Sequence, residues 1–234
     1  MKLYIVNEFP KSGGTWLSQM LSEALGIPYP RNRLPMLRSS IIQGHYLKSW
    51  NMSNVVVIWR DGRDLTVSQY YHCLFENEIG NKILVNRTRK NLMFNNYNNI
   101  RENMPQFINY TFALKSSPRF SWSDFAEAWY KLNNAVHVKY EDLLKDTTGE
   151  LIRVVKKLSG NELFVGKARD IAEKYSFEKL SGRKQGQENK FRFLRKGIAG
   201  DWKNYFNKEA RELFDFYAGD QLLKLGYEKD RSWV

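Results

Sequence analysis

Short runs of hydrophobic residues alternate along the chain with longer segments in which hydrophobic residues recur at helical spacing. The strand-like runs cover residues 3–9, 41–44, 55–59 and 135–140. The segments with helical spacing cover residues 15–25, 65–75, 124–132, 150–158 and 208–225. This alternation predicts an α/β fold in which a central, mainly parallel sheet is flanked by helices on both faces.

The segment from Glu76 to Ser117 departs from this pattern. It is rich in Asn, and its apolar residues are irregularly spaced. Such a stretch is typical of a lid, a set of short helices or a partly mobile insertion. We therefore expect a substrate lid or an insertion at residues 76–120. Further along, Ser121-Trp-Ser-Asp124 predicts a helix start, and Gly226 predicts the end of the last helix.

Composition narrows the class of protein. The chain has 234 residues, of which 42% are hydrophobic and 15% aromatic, so it can bury one substantial core. We expect one domain over residues 1–234. Lys and Arg number 37 against 25 Asp and Glu, a net charge of +12. Such a surface attracts phosphorylated or sulfated ligands, nucleic acid or an anionic membrane.

Cysteine content and the N-terminal residues bear on the cellular location. Cys73 is the single cysteine, which excludes an intrachain disulfide and a cysteine metal cluster. The N-terminus has one Lys and then a short strand-like run, which is unlike a signal peptide or a membrane anchor. We expect a cytoplasmic protein with no membrane span.

The segment Phe9-Pro-Lys-Ser-Gly-Gly-Thr-Trp16 follows the first strand-like run and opens a predicted helix. Gly13 and Gly14 permit positive φ and leave room for a ligand, Ser12 and Thr15 supply hydroxyl groups, and Lys11 supplies a positive charge. The lysine precedes both glycines, whereas it follows them in the triphosphatase pattern G-x-x-x-x-G-K-[ST]. The segment therefore predicts a P-loop-like phosphate site. The position of its lysine argues against ordinary kinase chemistry. The alternative is a tight turn with a lysine on the surface.

Two further motifs carry positive charge. Arg60 ends a strand-like run, with Ser68 on the following predicted helix, and Arg195-Lys196-Gly197 stands before Gly200-Asp-Trp-Lys203. Adjacent cations and a glycine can converge on one phosphate. The carboxyl ends of parallel strands share one edge of a sheet, so these basic groups could meet in one cleft with Lys11.

These motifs, in this order, resemble the soluble sulfotransferases that use 3′-phosphoadenosine-5′-phosphosulfate (PAPS). The resemblance spans residues 4 to about 206 and implies PAPS as co-substrate, 3′-phosphoadenosine-5′-phosphate (PAP) as product and no metal. It assigns the 5′-phosphosulfate to the segment from Lys11 to Trp16, with Trp16 against the adenine. It assigns the 3′-phosphate to Arg60, Ser68, Arg195, Lys196 and Gly197. It also implies that Tyr140, in Tyr140-Glu-Asp142, contacts the adenine; from the residues alone, Tyr140 is a core aromatic at a strand end.

Sulfuryl transfer also needs a base for the acceptor proton. His45 follows a strand-like run at the position where the resemblance implies the catalytic base, whereas His72 and His137 are more simply structural. The family often has Lys where this chain has Gln43, so Gln43 contributes less to holding the sulfuryl group or another lysine, such as Lys48, replaces it. Lys11 is the expected partner for charge on the bridging and leaving oxygens.

The acceptor is left open between a small molecule and a glycan, with a hydroxyl or an amine as the group that receives sulfate. We expect its contacts at residues 27–40 and 76–120. The segment from Lys203 departs from the family's dimerisation motif, which leaves the choice between monomer and dimer open. Two alternatives from other classes are a nucleoside-kinase-like phosphotransferase, which predicts acidic Mg²⁺ ligands near the loop, and a basic nucleic-acid-binding protein, which predicts binding that falls steeply with salt.

Overall fold

A computed structural model describes residues 2–31, 38–48, 52–78, 80–114 and 118–234. None of the helices in these ranges is both long and apolar enough to cross a membrane. The regular elements are β1 (Leu3–Glu8), α1 (Gly14–Leu25), β2 (Ser40–Gly44), β3 (Val55–Trp59), α2 (Gly62–Leu74), α3 (Lys82–Asn91), α4 (Ile100–Leu114), α5 (Trp122–Trp129), β4 (Val136–Lys139), α6 (Tyr140–Lys145), α7 (Thr147–Ser159), α8 (Val165–Lys174), α9 (Phe177–Ser181) and α10 (Lys208–Lys224).

The four strands form one parallel sheet in the order β2-β1-β3-β4. Val6 of β1 is paired with Gln43 of β2 on one side and with Val56 of β3 on the other. Ile58 of β3 is paired with Val138 of β4. The prediction of a parallel sheet is therefore confirmed. Because all strands point the same way, the residues that follow β1, β2 and β3 leave the sheet at its carboxyl edge.

The chain divides into two compact units, and the first comprises Met1–Arg60 and Lys131–Lys184. It contains the sheet with helices α1 and α6 to α9. Its core is built from alternate strand residues, such as Tyr4 and Val6 of β1, and from the apolar stripes of α1, α7 and α8. Leu17, Met20 and Leu21 place three fully buried side chains of α1 in this core. This packing anchors both ends of the turn that joins β1 to α1.

The second unit comprises Asp61–Tyr130 and Gln185–Val234 and contains α2 to α5 and α10. Its core is largely aromatic, and Phe214 of α10 contacts the rings of Phe112, Trp122 and Phe206. The guanidinium of Arg63 is buried, with its carbon 3.9 Å from the centroid of the Trp202 ring. Burial lowers the pKa of Arg63, but its hydrogen bonds to Asp61 and Glu228 outweigh this and raise the pKa above the usual arginine value.

Most predicted elements are present within a few residues of their predicted ends. Ser121 caps α5 through a reciprocal capping box with Asp124, as the sequence predicts. The segment 76–120, expected as a lid, short helices or a mobile insertion, contains α3 and the 15-residue α4. The periodicity of α4 is obscured by Pro105 and by polar neighbours. The roles of this segment as a lid and of residues 1–234 as a single domain stay predictions.

Candidate functional site

The turn between β1 and α1 has an unusual backbone. Lys11 has φ of 78° and Gly13 has φ of 103°, so two residues close together lie in the left-handed region. Glycine reaches this region without cost, whereas a lysine there carries strain of about 1–2 kcal/mol. The strained lysine and the left-handed glycine turn the chain sharply between the last residue of β1 and the first of α1.

The two glycines of this turn are required by close approach. A Cβ atom on Gly13 would lie 2.9 Å from the ring of Tyr140, and a Cβ atom on Gly14 would lie 2.5 Å from the carboxyl carbon of Glu8. Both distances are below any normal contact, so no larger residue fits without displacement of these side chains. The spacing of the glycines therefore reflects the surroundings of the turn as well as its backbone angles.

Both hydroxyl groups of the turn donate hydrogen bonds inside the protein. Ser12 Oγ donates to the carbonyl oxygen of Phe9 at 2.7 Å, and Thr15 Oγ1 donates to Gln43 Oε1 at 3.2 Å. Gln43 Oε1 also accepts a hydrogen bond from the hydroxyl of Tyr29. These contacts tie the turn to β2 and leave the two hydroxyl groups engaged with the protein itself.

Glu8, to which the sequence alone assigns no role, lies at the centre of these contacts. Its side chain is buried, and its carboxylate accepts one hydrogen bond from the Gly14 backbone N–H and one from Gln43 Nε2, both at 2.6 Å. A buried carboxylate requires such donors, and these two hold the first residue of α1 against the sheet. The only sequence signal for this role is an acidic residue at the end of an otherwise apolar strand.

Arg60 lies beside the same turn. Its Nη1 donates to the carbonyl oxygen of Lys11 at 2.9 Å, and its guanidinium carbon is 4.5 Å from the centroid of the Tyr140 ring. Arg60 is 9% exposed, and within the described part of the chain its Nε has no hydrogen-bond partner. The structure thus brings together Lys11, Arg60 and Tyr140, and the donor on Arg60 Nε is suited to an anion.

Trp16, in the first turn of α1, also contacts Tyr140. The two rings meet edge-on, with centroids 5.9 Å apart. Trp16 Nε1 donates to the carbonyl oxygen of Tyr175 at 2.8 Å, which fixes the orientation of the indole ring. The two aromatic residues selected from the sequence are therefore direct neighbours.

His45 follows β2 by one residue and has an exposed side chain. Its Nδ1 lies 2.9 Å from the carbonyl oxygen of Glu8. The Nδ1 of His45 is therefore fixed by the backbone of β1.

The other two histidines differ from His45. His137 has both ring nitrogens in hydrogen bonds, to Trp59 Nε1 and to the carbonyl oxygen of Leu132. His72 contacts the side chain of Asn77 through Nδ1. Of the three, His45 combines a fixed Nδ1 with an exposed ring.

The second unit holds the remaining predicted site residues. Ser68 lies on α2 and is half-buried. Arg195 and Lys196 both bond to the buried carboxylate of Asp201, at 2.7 Å and 2.6 Å, and Arg195 also pairs with Glu188. Gly197 has φ of 68°, and its carbonyl oxygen accepts from Gln185 Nε2 at 2.5 Å.

Asp201 and Asp64 shape this second segment. Burial alone would raise the pKa of Asp201, but hydrogen bonds from Lys196 and Arg195 outweigh it and lower the pKa below its usual value. Asp64 accepts hydrogen bonds from the backbone N–H groups of Gly200 and Trp202. Asp201 is part of the sequence motif, but the motif does not indicate its role. The only sequence signal for that role is that Asp201 lies close to two basic residues along the chain.

Part of the predicted acceptor region, residues 32–37, 79 and 115–117, lies outside the described residues. Lys48, considered as a replacement for a lysine at position 43, is exposed. Within the described ranges, no group of three or more His, Cys, Asp or Glu side chains is placed to hold a metal ion.

The chain is similar to known proteins over most of its length. The sulfotransferase domain family matches residues 4–226. Sulfotransferase 2B1 of Mus musculus is 24% identical over 227 residues, which cover 88% of this chain and 59% of that protein. The chain thus spans about three fifths of the length of that relative.

Two kinds of solved structure share the fold. Mouse sulfotransferase SULT7A1 complexed with PAP superposes with a TM-score of 0.68 at 20% identity, over 94% of this chain and 83% of that one. Retinol dehydratase in a complex with retinol and PAP superposes with a TM-score of 0.57 at 18% identity, over 94% and 81% of the two chains. An α/β fold with a glycine-containing turn after its first strand defines the class, and the chain belongs to the sulfotransferase family. The family match removes the support for the phosphotransferase and nucleic-acid-binding alternatives.

Proposed function

We propose that this protein transfers the sulfuryl group of PAPS to a hydroxyl or amine of a small-molecule or glycan acceptor. The observation that carries the proposal is the cluster of Lys11, Arg60 and Tyr140 around a strained turn at the carboxyl end of β1. The family match and the PAP in the two solved structures support the choice of donor.

The residues of the turn fit a phosphosulfate. Gly13 and Gly14 offer backbone without side chains, α1 begins at Gly14 with its positive end toward the turn, and Arg60 Nε is a buried donor in need of an acceptor. Lys11 would stabilise negative charge on the bridging oxygen. Trp16 and Tyr140 would contact the adenine. Ser68, Arg195, Lys196 and Gly197 are proposed for the 3′-phosphate.

His45 is proposed as the general base. Its Nε2 would accept the proton of the acceptor hydroxyl or amine while the acceptor oxygen or nitrogen forms a bond to sulfur and the bond from sulfur to the phosphate oxygen breaks. The released phosphate carries the electron pair of the broken bond, and Lys11 offsets its charge. Positioning and charge stabilisation dominate such a transfer, as in phosphoryl transfer.

A small molecule is the acceptor that the relatives favour, because retinol occupies one of the related structures. Residues 27–40 and 76–120 are proposed to contact it, and Gln43 is proposed to have a supporting role, since its amide is occupied by Glu8, Thr15 and Tyr29. A cytoplasmic location stays a prediction from the sequence, and so does the absence of a metal.

Two measurements test the proposal. PAP at millimolar concentration is expected to raise the melting temperature of the purified protein, because a ligand that binds only the folded state stabilises it. An unchanged melting temperature would contradict the choice of donor.

His45→Gln is then expected to lower transfer from labelled PAPS by about 100-fold or more while PAP binding persists. His72→Gln is the matched control, because it removes a histidine in the second unit that the proposal does not use. Full turnover by His45→Gln would assign the base to another group.

A further inference from the structure

We propose that Asn7 is a positioning residue that, together with the backbone carbonyl of Glu8, fixes His45 in the neutral tautomer whose Nε2 can act as a base. This inference rests on the proposed role of His45. Asn7 is fully buried in β1 and has no charge, and the sequence alone assigns it no role.

The side chain of Asn7 continues the pairing of β1 with β2 beyond the end of the strand. The last paired residues of the two strands are Asn7 and Gly44. Two residues further on, Asn7 Nδ2 donates to the carbonyl oxygen of Tyr46 at 3.0 Å, and Asn7 Oδ1 accepts from the Tyr46 N–H at 2.8 Å. His45 lies between Gly44 and Tyr46, so its backbone is fixed to β1 on both sides.

The ring of His45 is fixed by the next residue of β1. Nδ1 lies 2.9 Å from the carbonyl oxygen of Glu8. A carbonyl oxygen only accepts hydrogen bonds, so the proton of the neutral ring must be on Nδ1. Nε2 then carries the lone pair and can receive a proton. Glu8 thus contributes through its carbonyl as well as through its carboxylate.

His137 is an internal reference with the opposite arrangement. Trp59 Nε1, which can only donate, lies 3.0 Å from His137 Nδ1, so this nitrogen carries the lone pair. His137 Nε2 lies 2.9 Å from the carbonyl oxygen of Leu132 and therefore carries the proton. The two histidines of the first unit are expected to show opposite tautomers in one sample.

An asparagine suits this position because the two bonds to Tyr46 need one donor and one acceptor on the same side chain. An aspartate in its place would lose the donor, and an alanine would lose both bonds, so we expect Asn7→Ala to release Tyr46 and with it the ring of His45. Asn81→Ala is the matched control. Asn81 is also buried and donates to the carbonyl oxygens of His72 and Phe75 in the second unit, so its loss should affect stability without a direct effect on His45.

The test is nitrogen NMR of the imidazole rings at about pH 8.5, roughly two units above the usual histidine pKa, combined with kinetics. In the wild type, His45 is expected to carry its proton on Nδ1 and His137 on Nε2. In Asn7→Ala, His45 is expected to show a mixture of tautomers, with kcat lowered roughly 10- to 100-fold and PAP affinity unchanged. Asn81→Ala should keep the wild-type tautomer and kcat.

A proton on Nε2 of wild-type His45 would overturn the inference, and so would an unchanged tautomer in Asn7→Ala. If the alanine variant does not fold, Asn7→Ser replaces it, because a serine side chain is too short to make both bonds to Tyr46. The tautomer of wild-type His45 is measured without any variant. The tautomer is read without turnover. A protein with the expected tautomer but no sulfuryl transfer would contradict the proposed function and leave the placement of the proton intact.

Discussion

The turn from Lys11 to Trp16 and the segment from Arg195 to Trp202 are both basic, yet they are built in different ways. The turn owes its form to its backbone: φ is left-handed at Lys11 and Gly13, and a Cβ atom on Gly13 or Gly14 would lie 2.9 Å or 2.5 Å from a neighbouring side chain. The second segment also contains left-handed glycines, Gly197 and Gly200, but its two cations are held by charge, because Asp201 bonds to both Arg195 and Lys196. A site of the first kind fails when its shape changes, whereas a site of the second kind fails when its charge balance changes.

The difference also concerns how each cation is prepared for a ligand. Arg60 beside the turn is buried and keeps one donor, Nε, without a hydrogen-bond partner among the described residues. Arg195 is buried too, but it is neutralised by Asp201 and Glu188. Its pKa is lowered by burial and raised more strongly by these carboxylates. A phosphate at Arg195 would have to compete with Glu188, whereas an anion at Arg60 would accept the hydrogen bond that Nε can donate.

The largest expected effect is on kinetics, where replacement of Lys11 and replacement of Lys196 should change different constants. Lys11→Met should lower kcat by about 100- to 1000-fold, because Lys11 is proposed to stabilise charge that develops during transfer. Lys196→Met should instead raise the KM for PAPS roughly tenfold with a smaller change in kcat, because Lys196 is proposed to hold a group that does not react. Steady-state kinetics with varied PAPS checks both.

Lys167→Met is the control for removal of a lysine. Its side chain is exposed and donates to the carbonyl oxygen of Ala24, away from both basic segments in the sequence. We expect wild-type kinetics from it. A fall in kcat of equal size for Lys11→Met and Lys196→Met would remove the distinction between the two segments.

The second prediction compares a glycine from each segment. Gly14→Ala places a Cβ atom 2.5 Å from the buried Glu8 carboxyl carbon, so we expect the free energy of unfolding to fall by about 2–3 kcal/mol and PAP affinity to fall more than tenfold. Gly200→Ala meets no atom within 4 Å and is opposed only by φ of 79°. Its cost should be about 1 kcal/mol.

Urea denaturation and PAP titration of both variants measure these differences. If Gly200→Ala loses as much stability and PAP affinity as Gly14→Ala, both segments depend on their shape and the proposed difference between them is wrong. A stable Gly14→Ala protein with normal affinity would show that Glu8 can move aside, and the turn would then be less rigid than its contacts indicate.

The sequence predicted the turn better than its surroundings. Glycine, proline and a helix start are local signals, so the turn at Lys11 and the start of α1 could be placed from the residues alone. The roles of Glu8 and Asn7 could not, because each depends on which residue of β2 lies beside β1 and on the side to which a strand residue points. Gln43 stands out in the sequence because it replaces a lysine that is frequent in the family. Its contacts with Thr15 and Tyr29 could not be predicted, because they also depend on how β2 pairs with β1.

Asp201 shows the same limit in the second unit. Its position in the sequence motif was evident, but a carboxylate next to basic residues in a sequence does not reveal which of them it pairs with. The bounds of helices α3 and α4 could not be predicted for a different reason: asparagine is a poor helix former, and packing of residues such as Phe107 and Ile108 determines the structure there.

The smallest expected effect concerns the charge of Asp201 in the second segment, and it is seen in how the free energy of unfolding depends on pH. The pKa of Asp201 is lower in the folded protein than its usual value of 3.8. Its carboxylate therefore contributes stability that is complete above about pH 5 and is lost as the pH falls through the lower folded-state pKa. Asp201→Asn, which lacks the charge, should be less stable than the wild type by about 1.5 kcal/mol at pH 7.

The difference between the two proteins should shrink as the pH falls from about 5 toward about 2, because only the wild type loses the contribution of Asp201. Urea denaturation at each pH measures it, and other carboxylates, such as Glu23, titrate in both proteins and cancel in the difference. Asp230→Asn is the control, because the pKa of Asp230 is also lowered, by hydrogen bonds from Ser232, but its side chain is exposed. A difference between wild type and Asp201→Asn that is constant over this range would mean that Arg195 and Lys196 do not depend on the charge of Asp201, and the second segment would then be held by shape, as the turn at Lys11 is.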